Sequence, residues 1–219
     1  FSFLDPEEAR TWSQIYYDII RSEECVPLGW SVNANLAMVS AFSMHDDRAE
    51  AIRRGQDNFE FFRYSQQRLV AEDFVPGHSN MWEDFLAKRG DASDRLIQAA
   101  LARAEFDGAG IGTPDDMRRH LSQFQDAGVD QVIFLQQAGR NTNTNICEGL
   151  QLFADKVMPE FTADSALRES KKAAELAPYI EAALARKTYM KAPTKEETPV
   201  VKASVKRSVT DAQKPAEAS

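Results

Sequence analysis

Ala9, Trp12, Ile15, Tyr16, Ile19 and Ile20 recur at helical spacing behind Asp5-Pro6-Glu7-Glu8. Asp5 can cap a helix, Pro6 suits its first position, and two glutamates favour its positive end. This pattern predicts a helix over 5–24. Residues 32–42 follow a different rhythm. Val32, Ala34, Leu36 and Met38 share one face; Asn33, Asn35, Ala37, Val39 and Ala41 share the other. Both faces are apolar or small beyond Asn35, which predicts a strand covered on both sides, as in parallel sheets. Asp46 then caps a helix to about Phe62, with Ala49, Ile52, Phe59 and Phe62 inward.

The stretch 63–112 is less regular. It holds a loop from Phe74 to His78, a short helix capped by Ser79 and carrying Trp82, Phe85 and Leu86, and a helix over 92–104. Gly108, Gly110 and Gly112 break the chain. Thr113-Pro114-Asp115-Asp116 opens another helix, with Met117, Leu121 and Phe124 on one face and Gly128 as its stop. Val132-Ile133-Phe134-Leu135 forms the core of a second buried strand. A polar loop, Asn141 to Asn145, leads to a helix carrying Ile146, Leu150, Phe153 and Val157, which Pro159 is expected to end. A last helical stretch over 164–186 is expected to break at Pro178. From Thr188 the composition reads as a disordered tail. Strand, helices, strand and helix in that order imply a parallel pair joined by a crossover. Two strands make a poor sheet alone, so further strands are expected from elsewhere.

Composition narrows the class. The 219 residues are 43% apolar and 10% aromatic, enough for a folded core and too much for a disordered chain. No apolar run reaches the roughly 20 residues that span a bilayer. Cys25 and Cys147 lie far apart and read as reduced, buried thiols of a cytoplasmic protein, not as a disulfide framework. The net charge is −8 and uneven. From Arg186 onward eight Lys/Arg face four Asp/Glu, a net +4; before it 18 face 30, a net −12. An acidic body argues against nucleic-acid binding. Residue 1 is Phe, with no secretory signal pattern behind it. The expectation is that processing or truncation has removed an upstream part.

Candidate chemistry is sparse. Gly108-Ala109-Gly110-Ile111-Gly112 fits neither dinucleotide nor Walker spacing. His45, His78 and His120 sit on separate segments without metal-ligand spacing, so no metal is expected. His120, beside Arg118 and Arg119, reads as solvated, and Cys147 as packing. His45 lies just past the first strand; His78 and Trp82 lie on a lid candidate. In parallel α/β folds, chemistry gathers beyond the carboxyl ends of the strands. That rule selects Gln136, Gln137, Arg140 and Asn141 as cofactor- or substrate-binding candidates, with Arg140 the one suited to an anion. No catalytic residue is assigned.

Four segments stand out together: Gly112-Thr113-Pro114, Ala127-Gly128-Val129-Asp130-Gln131-Val132-Ile133-Phe134-Leu135, Gln136-Gln137-Ala138-Gly139-Arg140, and Leu152 to Phe161. As a set they resemble the C-terminal part of bacterial-luciferase-like flavin monooxygenases. Val32 to Val39, Arg48 to Gly55, Pro76-Gly77 and Asn80 to Glu83 resemble them too, so the likeness covers about 1–162. It implies an α/β fold, mostly helical by content: the C-terminal portion of a (β/α)8 TIM barrel. Residues 5–24 are then the helix before strand seven, 32–42 strand seven, 131–136 strand eight and 144–158 the closing helix. The region 63–112 is a lid-like insertion, 163–187 a helical extension and 188–219 the tail. Strands one to six are missing, and an intact protein of about twice this length is expected. The family uses reduced flavin, usually FMN, and O2 to oxidise small organic substrates; relatives use a deazaflavin and transfer hydride. A separate flavin reductase and a homodimer are the partners it implies. The alternatives are a reductase on the same barrel and a non-catalytic partner subunit.

Overall fold

The structure, a computed structural model, describes residues 4–71, 77–78, 80–89, 110–188 and 192–198. Helix α1 (Pro6–Arg21) starts as its sequence demands. The Asp5 side chain accepts from the Glu8 N–H, and Glu7 and Glu8 occupy the first turn. Strands β1 (Ala37–Ala41) and β2 (Ser43–Met44) follow, then α2 (Arg48–Ala71) and α3 (Met81–Arg89). After β3 (Ile111–Gly112) come α4 (Pro114–Asp126), β4 (Gln131–Leu135), α5 (Asn143–Lys156), α6 (Met158–Thr162) and α7 (Ser165–Ala185).

β1 pairs with β4 in parallel, Val39 opposite Ile133, and β2 pairs with β3 in parallel. The parallel pairing expected from the element order is therefore present. The described strands form two two-stranded pairs and close no barrel. The first strand is shorter than 32–42, and the carbonyls at 33 and 34 in its lead-in bond to side chains. The Tyr16 hydroxyl donates to the Asn33 carbonyl and the Tyr17 hydroxyl to the Ala34 carbonyl at 3.3 Å. β3 was not expected from its glycines. Gly112 has no Cβ, and one would fall 2.6 Å from the Asp116 side chain.

Other boundaries move for local reasons. Helix α2 continues past Phe62 to Ala71, into the stretch read as an insertion. The Asn80 side chain accepts from the Glu83 N–H at 3.3 Å at the start of α3; Ser79 and the helix expected over 92–104 lie outside the described residues. Thr113 and Asp116 make the reciprocal bonds of a capping box on α4. Gly128 takes φ 84 and stops it, with the Gly128 N–H on Gln125 and the Val129 N–H on Phe124. Pro159 does not merely end a helix: it sits in the first turn of α6, where a missing N–H costs nothing. Pro178 is carried inside α7, on an exposed position, while Leu176 and Ala183 are buried.

The core lies between the strands and one layer of helices. Met38 packs with Ala9, Phe124 and Ala127. Phe42, Met44, Met117, Leu121 and Val157 form a second cluster, with the Phe42 ring 4.8 Å from Phe134 and 5.9 Å from Phe153. Each of the larger buried side chains, Met38, Phe42, Met44, Met117, Leu121, Phe124 and Val157, contributes about 1.5–3 kcal/mol. The opposite face of the sheet is covered by α2 only where Ala41 meets Ile52 and Phe59. Ile133 is 48% exposed there and Gln131 is exposed. The expected double cover is thus incomplete, and the outer edge of β4 has no strand partner among the described residues. Residues Lys187–Ser219 form a separate unit. Within it Thr194 and Glu197 exchange backbone-to-side-chain hydrogen bonds; most of the segment read as disordered lies outside the described residues.

Candidate functional site

Beyond the carboxyl end of β4 the chain makes a tight turn, residues 136–141. Gly139 adopts φ 57, a left-handed conformation that favours glycine. A Cβ there would lie 2.5 Å from Oδ1 of Asn58 on α2. That oxygen accepts the Arg140 N–H at 2.7 Å, and the Asn58 Nδ2 donates to the Arg54 carbonyl at 2.7 Å. The Asn141 Nδ2 donates to the Gln136 carbonyl at 3.2 Å. What remains is unusual. The Gln136 Nε2 and Oε1 and the Asn141 Oδ1 are buried with no hydrogen-bond partner. They flank a chamber of about 10 Å³, bounded also by Ala41, Phe59 and Leu135, with room for about one water-sized group. A buried amide left unpaired costs about 1–3 kcal/mol.

At the mouth of this turn the Arg140 guanidinium lies over the Trp82 ring, 5.1 Å from its centroid. Its ion pair with Glu83 is 3.5 Å long and both side chains are mostly exposed, so it holds Arg140 weakly. Trp82 packs against Phe61 at 5.0 Å and Phe85 at 5.6 Å. Arg89 ties the far end of α3 back to Asp57 of α2 at 2.9 Å. The fold therefore brings Trp82, Gln136, Arg140 and Asn141 to one place. Gln137 is on the same turn and exposed.

The histidines go elsewhere. His45, at the end of β2, donates its backbone N–H to Gly112, and its Nδ1 accepts from the Asp47 N–H at 3.0 Å. It supports the start of α2, away from the turn. His78 is exposed beside Gly77. His120 is not solvated as expected: it is half-buried, its ring edge-on to Phe124 and its Nε2 2.9 Å from the Ser40 Oγ. The Ser40 hydroxyl also lies 3.0 Å from the Ala41 carbonyl. Burial lowers the His120 pKa to about 4. Cys147 is exposed, contrary to its reading as packing. The α4 start cannot easily take a phosphate, because the Asp116 carboxylate already accepts from the Thr113 N–H and Oγ1 at 2.9 Å.

Sequence reading missed two contributors. Asn58 carries no motif; only its place on α2 opposite a glycine turn marks it. Asp130 organises the amino ends of the strands. Its carboxylate accepts from the Leu36 N–H at 2.7 Å, the Tyr17 hydroxyl and the Lys172 ammonium at 2.8 Å. Burial first, and then the bond to Asp130, push the Tyr17 hydroxyl well above its ordinary pKa. Burial opposes the Lys172 charge, but its bonds to Asp130 and Glu169 hold its pKa above the usual value. Among the described residues no group of three His, Cys, Asp or Glu side chains could hold a metal ion, and no helix is long and apolar enough to cross a membrane.

No protein-family model matches the chain, and no curated protein matches it. Among solved structures it is similar to the crystal structure of the monooxygenase RslO1 from Streptomyces bottropensis, with 15% identity and a TM-score of 0.43 over 74% of this chain. The match covers 41% of that structure, so the chain spans about two-fifths of its length.

Proposed function

We propose that this chain is the C-terminal part of a flavin-dependent monooxygenase of the bacterial-luciferase-like kind, built as a (β/α)8 barrel. The observation that carries the reading is the turn beyond β4. There an exposed guanidinium, an indole, the unpaired Gln136 amide and the unpaired Asn141 Oδ1 meet beyond the carboxyl end of a parallel pair, the place where such folds bind ligands. Two further features agree with a larger sheet. Ile133 lies exposed on the uncovered face, and a groove of about 610 Å³, bounded by Val132, Phe134, Phe153 and Phe161, opens beside β4. Parallel strands are ordinarily covered on both faces.

The donor set suits reduced FMN. Arg140 would meet the phosphate, Trp82 would offer a stacking surface, and Gln136 and Asn141 would hydrogen-bond a polar edge. The chamber is too small for the ring system, which requires space over the uncovered sheet face. When bound, the flavin supplies the electrons that activate O2 toward a small organic substrate. This chain's residues orient it and, through α3, help exclude water.

The test is FMN titration and oxygen uptake with the full-length polypeptide encoded by its gene. FMN should bind, and Arg140→Ala should weaken binding roughly tenfold, the equivalent of one charge-assisted hydrogen bond. Unchanged affinity and oxygen uptake in Arg140→Ala would remove Arg140 from the site, and absence of FMN binding would sink the reading. Hydride transfer from a reduced deazaflavin without oxygen uptake would replace it with a reductase on the same barrel.

A further inference from the structure

The turn at 136–141 is held only in part by its own bonds, from Asn141 Nδ2 to the Gln136 carbonyl and from the Asn141 N–H to the Ala138 carbonyl. Its left-handed residue, Gly139, rests against Oδ1 and Cα of Asn58. Its next N–H, that of Arg140, finds its acceptor in Asn58 Oδ1 rather than within the turn. Asn58 can offer that oxygen in one orientation only, because its Nδ2 is engaged by the Arg54 carbonyl one helical turn earlier. Both halves of the amide are used, one by the helix and one by the turn. Arg54 is itself anchored, by Glu50 within α2 and by Glu148 on α5, each at 2.6 Å. The backbone of α2 therefore places the Arg54 carbonyl, that carbonyl orients the Asn58 amide, and Asn58 Oδ1 holds the Arg140 N–H, while the Arg54 guanidinium is bound separately to Glu50 and Glu148.

We propose that Asn58 is a positioning residue of the strand-end site. It touches no ligand in this proposal. It fixes the backbone at Gly139 and Arg140, so that the guanidinium reaches Trp82 and the Gln136 and Asn141 amides face one chamber. The ligand-binding consequence rests on the function proposed above; the fixing of the turn does not.

The experiment separates the two. Amide hydrogen exchange at Arg140 is measured by NMR in the wild-type chain and in Asn58→Ala and Asn58→Asp, with FMN affinity measured in the full-length polypeptide. Asn58→Asp keeps an acceptor for the Arg140 N–H, whereas Asn58→Ala removes it. Arg140 should exchange roughly tenfold or more faster in Asn58→Ala, as expected when a hydrogen bond worth about 1.4 kcal/mol is lost. Its rate in Asn58→Asp should stay near that of the wild type. FMN affinity should fall roughly tenfold in Asn58→Ala and less than about twofold in Asn58→Asp, since misplacing a binding group is costly. Equal Arg140 exchange in wild type and Asn58→Ala overturns the proposal. So does an Asn58→Asp variant that loses FMN affinity as fully as Asn58→Ala while its Arg140 amide stays protected. If the wild type binds no FMN, the functional reading fails, and the exchange rates still decide whether Asn58 holds the turn.

Discussion

The two ends of the β1–β4 pair handle polar groups in opposite ways. At the amino ends, one carboxylate, Asp130, gathers a backbone N–H, a tyrosine hydroxyl and an ammonium. Lys172 is shared further with Glu169. At the carboxyl ends, buried amide atoms of Gln136 and Asn141 have no partner, and Arg140 lies exposed over Trp82. Folding stability favours the first arrangement, because the groups gathered on Asp130 are paired. The second is costly to the free chain and useful to a chain that binds something. The difference separates a structural pole from a binding pole on one small sheet.

The largest effect belongs at the structural pole. Asp130→Ala leaves the Leu36 N–H, the Tyr17 hydroxyl and the Lys172 ammonium without their shared acceptor. The loss should be about 3 kcal/mol or more, as for other broken buried pairs. Tyr17→Phe removes one neutral donor and should cost about 1 kcal/mol. Urea melts followed by circular dichroism measure both. A loss below that of Tyr17→Phe for Asp130→Ala would show that the network is not what joins α1, α7 and the strands.

Between the two poles, His120 reports on the core by its titration. Its folded pKa is lowered to about 4 by burial, against an unperturbed 6.5. The unfolded chain therefore binds the proton first as pH falls. The stability that the neutral ring contributes is complete above pH 6.5 and lost between 6.5 and 4. The loss is on the order of 3 kcal/mol. His120→Gln, which keeps a donor for Ser40 but does not titrate, should flatten the unfolding free energy across that window. Equal pH slopes in the two proteins would place the ring in contact with water.

Much of the fold was legible because local signals agreed. Asp5-Pro6, Thr113-Pro114 with Asp116, and Gly128 marked helix ends through capping chemistry that needs no tertiary help. The turn at 136–141 was found because strand ends collect chemistry in parallel folds, and Trp82 joined it from a different argument. Tertiary context hid the rest. His120 directly follows two arginines in sequence, yet its own side chain turns inward to Ser40. Pro178 lies on an exposed position of a helix whose other side is buried, so one missing N–H does not end it. Asn58 and Asp130 act through partners far away in sequence, and no spacing along the chain encodes such pairs.

A smaller effect tests the cost carried at the binding pole. Gln136→Met replaces an unpaired buried amide with an apolar side chain of similar length. The variant should be more stable by about 1 kcal/mol, because an unsatisfied donor and acceptor disappear. FMN affinity of the full-length polypeptide should fall at the same time. A stabilised variant with unchanged affinity would leave the orphaned amide a packing defect with no part in binding. A destabilised variant would show that Gln136 is satisfied by bound water in solution, and the contrast between the poles would shrink accordingly.

The smallest effect concerns the uncovered face. Ile133 is 48% exposed, on the side of β4 away from Phe42 and Phe153. In this chain Ile133→Lys should cost no more than about 0.5 kcal/mol, because the stem can lie along the sheet while the ammonium stays in water. If strands from the rest of a barrel cover that face, the same charge is buried unpaired in the full-length polypeptide. The cost there should then rise to about 3 kcal/mol or more. Paired urea melts of the two polypeptides, each with and without the substitution, give the difference directly. A small cost in both means that water reaches this face of the folded protein. The barrel reading would then lose its structural support, and the strand-end turn would have to bind its ligand from an open sheet.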